Sequence, residues 1–149
     1  MQRPIGVGFL AVVVAVVAHW QSVSEDFDKT KIVTIRGTVE GFVSPGPAGP
    51  HFYIRLGVKN PQGAIEHWLL EGKSRAALLE AGWTFGDGGL VQSGDTIVAT
   101  AYALKSTADV KDALSVLPPG LREKVQVDHL AHGIEITLST GRKMPFGEQ

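Results

Sequence analysis

Five histidines, no cysteine and no familiar nucleophile motif bound the chemistry open to this chain. His19 is the sharpest candidate. If the chain is cut after Ala18, His19 offers an α-amine and an imidazole from one residue. That pair suits Cu(II), which favours nitrogen ligands in a tetragonal plane. A third nitrogen would come from His51 or His67, which open the second predicted strand and lie in the third, so that a hairpin would bring them close. Copper is therefore the one cofactor the residues suggest. The plainer alternative makes His19 a terminal residue without a partner, and His51 and His67 ordinary strand histidines.

His129-Leu130-Ala131-His132 has the i, i+3 spacing that puts two imidazoles on one helix face, but no further ligand of a zinc signature accompanies it. The expectation is a solvent-exposed pair near a helix end. Glu66 and Glu71 fail as a paired acid and base, because five residues apart on a strand they point to opposite faces. Gly-x-Ser-x-Gly, a P-loop and Gly-x-Gly-x-x-Gly are all missing, and Asp87-Gly88-Gly89 reads as a turn. Without cysteine, thiol catalysis, thiolate metal sites and disulfides are excluded. What remains for ligand binding is a stacking platform of Tyr53, Arg55 and Trp68 on a sheet face. Its alternative is that the three cover the exterior of the fold.

Those side chains need elements to position them. Val33 to Val43 alternates as a strand, with Gly37 and Gly41 suggesting a bend or bulge. Ser44 to Pro50 is a glycine- and proline-rich loop. His51 to Val58 is the cleanest strand, with Phe52, Ile54, Leu56 and Val58 inward. Asn60-Pro61-Gln62-Gly63 turns into a third strand, Ala64 to Leu70. Ser74 caps a helix over Arg75 to Ala81 that ends at Gly82, and Trp83 and Phe85 follow as core residues. Thr96 to Leu104 is a fourth strand. Asp109 to Leu117 and Leu121 to Val127 read as short helices, the first lying over the barrel mouth, and Gly133 to Leu138 is the fifth strand. The tail after Met144 is expected to be loose.

Three strands, a helix, a strand, a helical insertion (106–132) and a last strand give a mainly β chain with the order of an OB-like five-stranded barrel. A mixed α+β sandwich is the alternative.

The start of the chain bears on location. Met1 to Pro4 carries one cation, Ile5 to Val17 is apolar, and Ala18 is small, which is the layout of a secretory signal peptide. The run is shorter than the ~20 residues of a membrane span, and the alternative is an uncleaved anchor. Residues 1–18 are thus expected to be a leader and 19–149 a single periplasmic or secreted domain. Fourteen Lys and Arg stand against fifteen Asp and Glu. Without a basic block the chain is a poor partner for nucleic acid.

Val33-Thr34-Ile35-Arg36-Gly37-Thr38-Val39, Pro50-His51, Gly82-Trp83-Thr84, Ser93-Gly94-Asp95 and Thr140-Gly141-Arg142-Lys143 together carry a resemblance. They are similar to the first strand, the Pro-His element, the Gly-Trp-Thr after the helix, the turn and the closing element of a family of small exported bacterial proteins. That family is known only as a domain of unknown function, family 6152. This chain has His19-Trp20-Gln21-Ser22 where the family often opens with His-His-Ser, and a Gly/Pro loop replaces Trp-Thr-Asn. The resemblance implies export and supplies no activity. The functional expectation is a non-catalytic binding module for a small ligand or an envelope protein partner, with copper binding second and catalysis last.

Overall fold

The computed structural model describes residues 23–46 and 49–148. The expected leader and His19 lie outside them. The described residues form six strands: β1 Phe27–Val43, β2 Tyr53–Lys59, β3 Ile65–Glu71, β4 Thr96–Leu104, β5 His129–Thr137 and β6 Lys143–Pro145. They follow the order β3-β2-β1-β4-β5-β6, and a further parallel pairing of β3 with β5 closes the first five into a barrel. Closure removes the exposed edges that an open sheet of this size would present. The connectivity is that of an OB-like barrel, as the element order implies. One helix, α1 (Arg75–Glu80), follows β3. Two more, α2 (Val110–Ala113) and α3 (Pro119–Lys124), precede β5 and are joined through a 3₁₀ turn at Leu114–Val116.

Local chemistry accounts for each of these pieces. Ile54, Leu56 and, across β1 and β4, Ile35, Val39, Ile97 and Ala99 face inward and are buried, while Val58 packs against them. Ser74 caps α1 by accepting a hydrogen bond from the Ala77 N–H at 3.2 Å. Gly82 follows the helix with φ +98°, a conformation that costs glycine little. Trp83 is buried and donates Nε1–H to the Pro145 carbonyl at 2.8 Å.

The first strand is bulged where Gly41 suggested. Val39 pairs with Leu56 and Gly41 with Arg55, so Glu40 is the extra residue. The bulge also reverses the alternation beyond it. Phe42 takes the inner position, and Val43 packs with residues outside the barrel wall.

The C-terminal tail is the clearest departure from expectation. It is not loose: Met144 and Phe146 are buried, and β6 pairs with β5. Phe146 lies against two glycines, Gly72 and Gly133, where an added Cβ would stand 2.6 Å and 2.8 Å from its ring. Its ring meets Trp83 edge-on at 5.5 Å and helps to plug the barrel.

A second apolar cluster sits outside the wall. Leu114, Leu117 and Val125 of the insertion pack on Tyr53, Leu69 and Leu130, together with Val23 and Phe27. The insertion therefore covers the side of the barrel rather than its mouth. It ends at Asp128, four residues before the expected boundary, because β5 begins at His129.

Candidate functional site

The outer face of β2 and β3 is buried at one end and open at the other. At the open end, a cleft of about 820 Å³ runs between the barrel wall and the insertion. Arg55 and His67 line it from the wall. Val110, Leu114, Val125 and Val127 supply apolar surface from the insertion, and Asp112, Glu123, Asp128, Lys111 and Arg122 supply charges of both signs.

Arg55 and His67 share one anchor. Arg55 Nε–H donates to Glu40 Oε1 at 3.3 Å, and His67 Nδ1 lies 2.8 Å from the same oxygen. An ionised carboxylate only accepts, so the His67 proton sits on Nδ1 and the opposite ring nitrogen is left for other partners. The bulge directs the Glu40 side chain outward across β2. It reaches β3 because Gly57 lies between: Thr38 pairs with Gly57, and Gly57 with His67. A Cβ on Gly57 would stand 3.0 Å from Glu40 Oε2. The insertion is tied to the same point, since the His67 N–H donates to Asp128 Oδ2 and the Asp128 N–H to the His67 carbonyl, both at 2.8 Å.

At the buried end, Glu71 collects three partners. His132 Nδ1 is 2.8 Å from Glu71 Oε1, the Tyr53 hydroxyl donates to Oε2 at 3.5 Å, and His51 Nδ1 stands 3.7 Å away. His132 is fully buried; its Nε2–H donates to the Glu148 carbonyl at 2.9 Å. Burial, followed by the adjacent Glu71 charge, pushes the Tyr53 phenol well above its ordinary value. His51 Nδ1–H donates to the Gly72 carbonyl at 2.8 Å.

The His129–His132 pair is therefore not on a helix and not exposed as a pair. Both residues belong to β5, where a separation of three puts them on opposite faces. His129 Nε2 lies 2.6 Å from Glu66 Oε2 and the ring stacks on Trp68 at 4.4 Å. Glu66 and Glu71 do point to opposite faces of β3, as expected, and each meets one of these histidines. The parallel β3–β5 pairing sets Trp68 beside His129 and Glu71 beside His132.

The platform of Tyr53, Arg55 and Trp68 is not assembled on one face. Tyr53 and Arg55 share the outer face of β2, where Tyr53 is buried, while Trp68 packs against the barrel core. Nor does the hairpin bring His51 and His67 together. His67 faces Gly57 in the body of β2, whereas His51 precedes the strand and stands by Gly72 at the far end of the hairpin. Each is held beside a different carboxylate. Among the described residues no group of three or more His, Asp or Glu is arranged to hold a metal ion.

Glu40 and Gly57 were not singled out by the residue pattern, yet they organise the open end. The signal was present: a glycine inside an otherwise regular strand marks a close approach, and a second glycine after Glu40 marks the bulge.

A closed OB-like barrel with a helical insertion docked on its outer wall defines the class. The chain belongs to a family of unknown function (DUF6152), whose model matches residues 8–111. The match starts within the apolar N-terminal run and stops in α2, short of β5. No curated protein and no solved structure matches the chain.

Proposed function

We propose that this protein is an exported, non-catalytic binding module that takes a small ligand in the cleft between the β2–β3 face and the insertion. The observation that carries the reading is the shared anchoring of Arg55 and His67 on Glu40 at the wall of a concave, partly apolar cleft. Ligand sites combine apolar walls with a few fixed polar groups, and this cleft has both. A concave surface of this size suits a small molecule better than a flat protein face. The outer surface of the second and third strands is also the usual binding surface of OB-like barrels. Export rests on the N-terminal pattern of one cation, an uncharged apolar run and Ala18.

The test uses the protein and a Ser115→Trp variant, in which an exposed cleft residue is replaced by a bulky one. Each is incubated with a small-molecule extract of the source cells, washed and denatured, and the released compounds are identified by mass. The proposal predicts compounds enriched on the protein and absent from the variant. Equal recovery from both would place binding outside the cleft. N-terminal sequencing of protein recovered from the native cells tests export: a chain beginning at His19 supports it, and a retained Met1 contradicts it.

A further inference from the structure

We infer that the cleft selects an organic monocarboxylate with an apolar body, its carboxylate gripped by Arg55 beside His67; this rests on the reading of the cleft as a ligand site. Among the described residues Arg55 uses only Nε, on Glu40. Its two terminal nitrogens remain as a planar fork, the geometry that matches a carboxylate through two parallel N–H···O bonds. The side chain is 29% exposed, so the fork reaches the cleft without being adrift in solvent. Its partner Glu40 is held by the bulge and by the path over Gly57, and also accepts from His67. Two donors fixed on one oxygen leave little side-chain freedom for a ligand to remove, which favours affinity.

The charge of the ligand follows from what surrounds this pair. Glu40, Asp112, Glu123 and Asp128 stand on or beside the lining, against Arg55, Lys111 and Arg122. Arg122 is partly engaged, donating to the Leu117 carbonyl at 3.3 Å. With four carboxylates against three cations, the field repels a compact dianion more strongly than a single negative charge paired with Arg55. The apolar requirement comes from the opposite wall, where Val110, Leu114, Val125 and Val127 face the same space. An aliphatic chain extending from the carboxylate would lie along them.

The experiment follows amide and side-chain resonances of the protein by NMR during titration with hexanoate, hexanamide, acetate and inorganic phosphate. Hexanoate is expected to perturb Arg55, His67, Val110 and Val127 and to bind at least about tenfold more tightly than hexanamide, the loss expected for one charge-assisted interaction. Acetate, lacking the chain, is expected to bind at least about tenfold more weakly than hexanoate. Arg55→Lys keeps a charge beside Glu40 but removes the fork, and should lower hexanoate affinity about tenfold while leaving hexanamide unchanged. If hexanoate and hexanamide bind the cleft equally, the carboxylate inference is overturned and the binding-site reading survives. If acetate matches hexanoate, the apolar body is overturned, and if phosphate binds as tightly as hexanoate, the monoanion is overturned. If no probe perturbs cleft residues, the monocarboxylate inference is overturned, and the site reading then stands or falls on the extract comparison with Ser115→Trp.

Discussion

Glu40 reaches His67 by passing over Gly57. The two side chains come from β1 and β3, with β2 between them, and the central strand has no side chain at the crossing. That path makes Gly57→Val an informative substitution. Its branched side chain occupies the space of the Glu40 carboxylate, whereas the single methyl of Gly57→Ala requires a shift of a few tenths of an ångström. Exposed ion pairs contribute little, so both variants should remain folded, with stability changes below about 1 kcal/mol from the lost pair. The His67 imidazole resonances should move in Gly57→Val and stay near their original positions in Gly57→Ala. Unchanged His67 resonances in Gly57→Val would contradict the crossing.

Glu71 and His132 make a buried pair whose loss should be costly. Glu71→Ala leaves His132 without its carboxylate in a place that water does not reach. Breaking one side of such a pair costs about 3–5 kcal/mol. Glu71→Gln, which keeps an acceptor of the same shape, should cost less. Urea denaturation of the two variants measures the difference. Equal midpoints for Glu71→Ala and the parent protein would show that the pair contributes nothing.

The tail prediction concerns Phe146. Its ring fills space left by two glycines and meets Trp83, so Phe146→Ala should lower stability by about 3–5 kcal/mol. Thermal denaturation checks it. A melting midpoint equal to that of the parent chain would mean that the tail does not plug the barrel.

Tyr53 predicts an alkaline loss of stability. Its phenol is raised in the folded state, by burial first and then by Glu71, while the unfolded chain ionises near pH ~10. Below that pH the phenol is neutral in both states and its contribution is fully present. As the pH rises further, the unfolded chain sheds the proton and the folded chain keeps it, so stability falls. Tyr53→Phe should flatten this part of the stability profile. An alkaline slope identical in the two proteins would remove Tyr53 as its source.

The barrel was legible because its inner face is written locally. Phe52, Ile54, Leu56 and Val58 repeat every second residue, and Ser74 and Gly82 mark both ends of the helix between β3 and β4. Where the pattern was short or interrupted, it failed. Met144 and Phe146 stand in a segment too brief to show a period, and the partners of Phe146 include Gly72 and Trp83, which are far away in sequence. His129 to His132 lacks the β-branched residues that mark strands, so its spacing suggested a helix. The site was less legible than the fold. Arg55 and His67 were both picked out, but as members of different constellations. What unites them is Glu40, and its reach depends on the register of three strands and on one bulge. Alternation within a single strand carries no information about either.

The central claim is that ligands enter between the insertion and the β2–β3 face. The most direct measurement is a backbone and side-chain NMR map of the protein titrated with a library of small organic fragments. The account predicts that the fragments that bind perturb Arg55, His67, Val110, Leu114 and Val127 together, and that Ser115→Trp abolishes those shifts. Perturbations gathered instead around Arg142 and Lys143, with Arg55 and His67 unmoved, would contradict it.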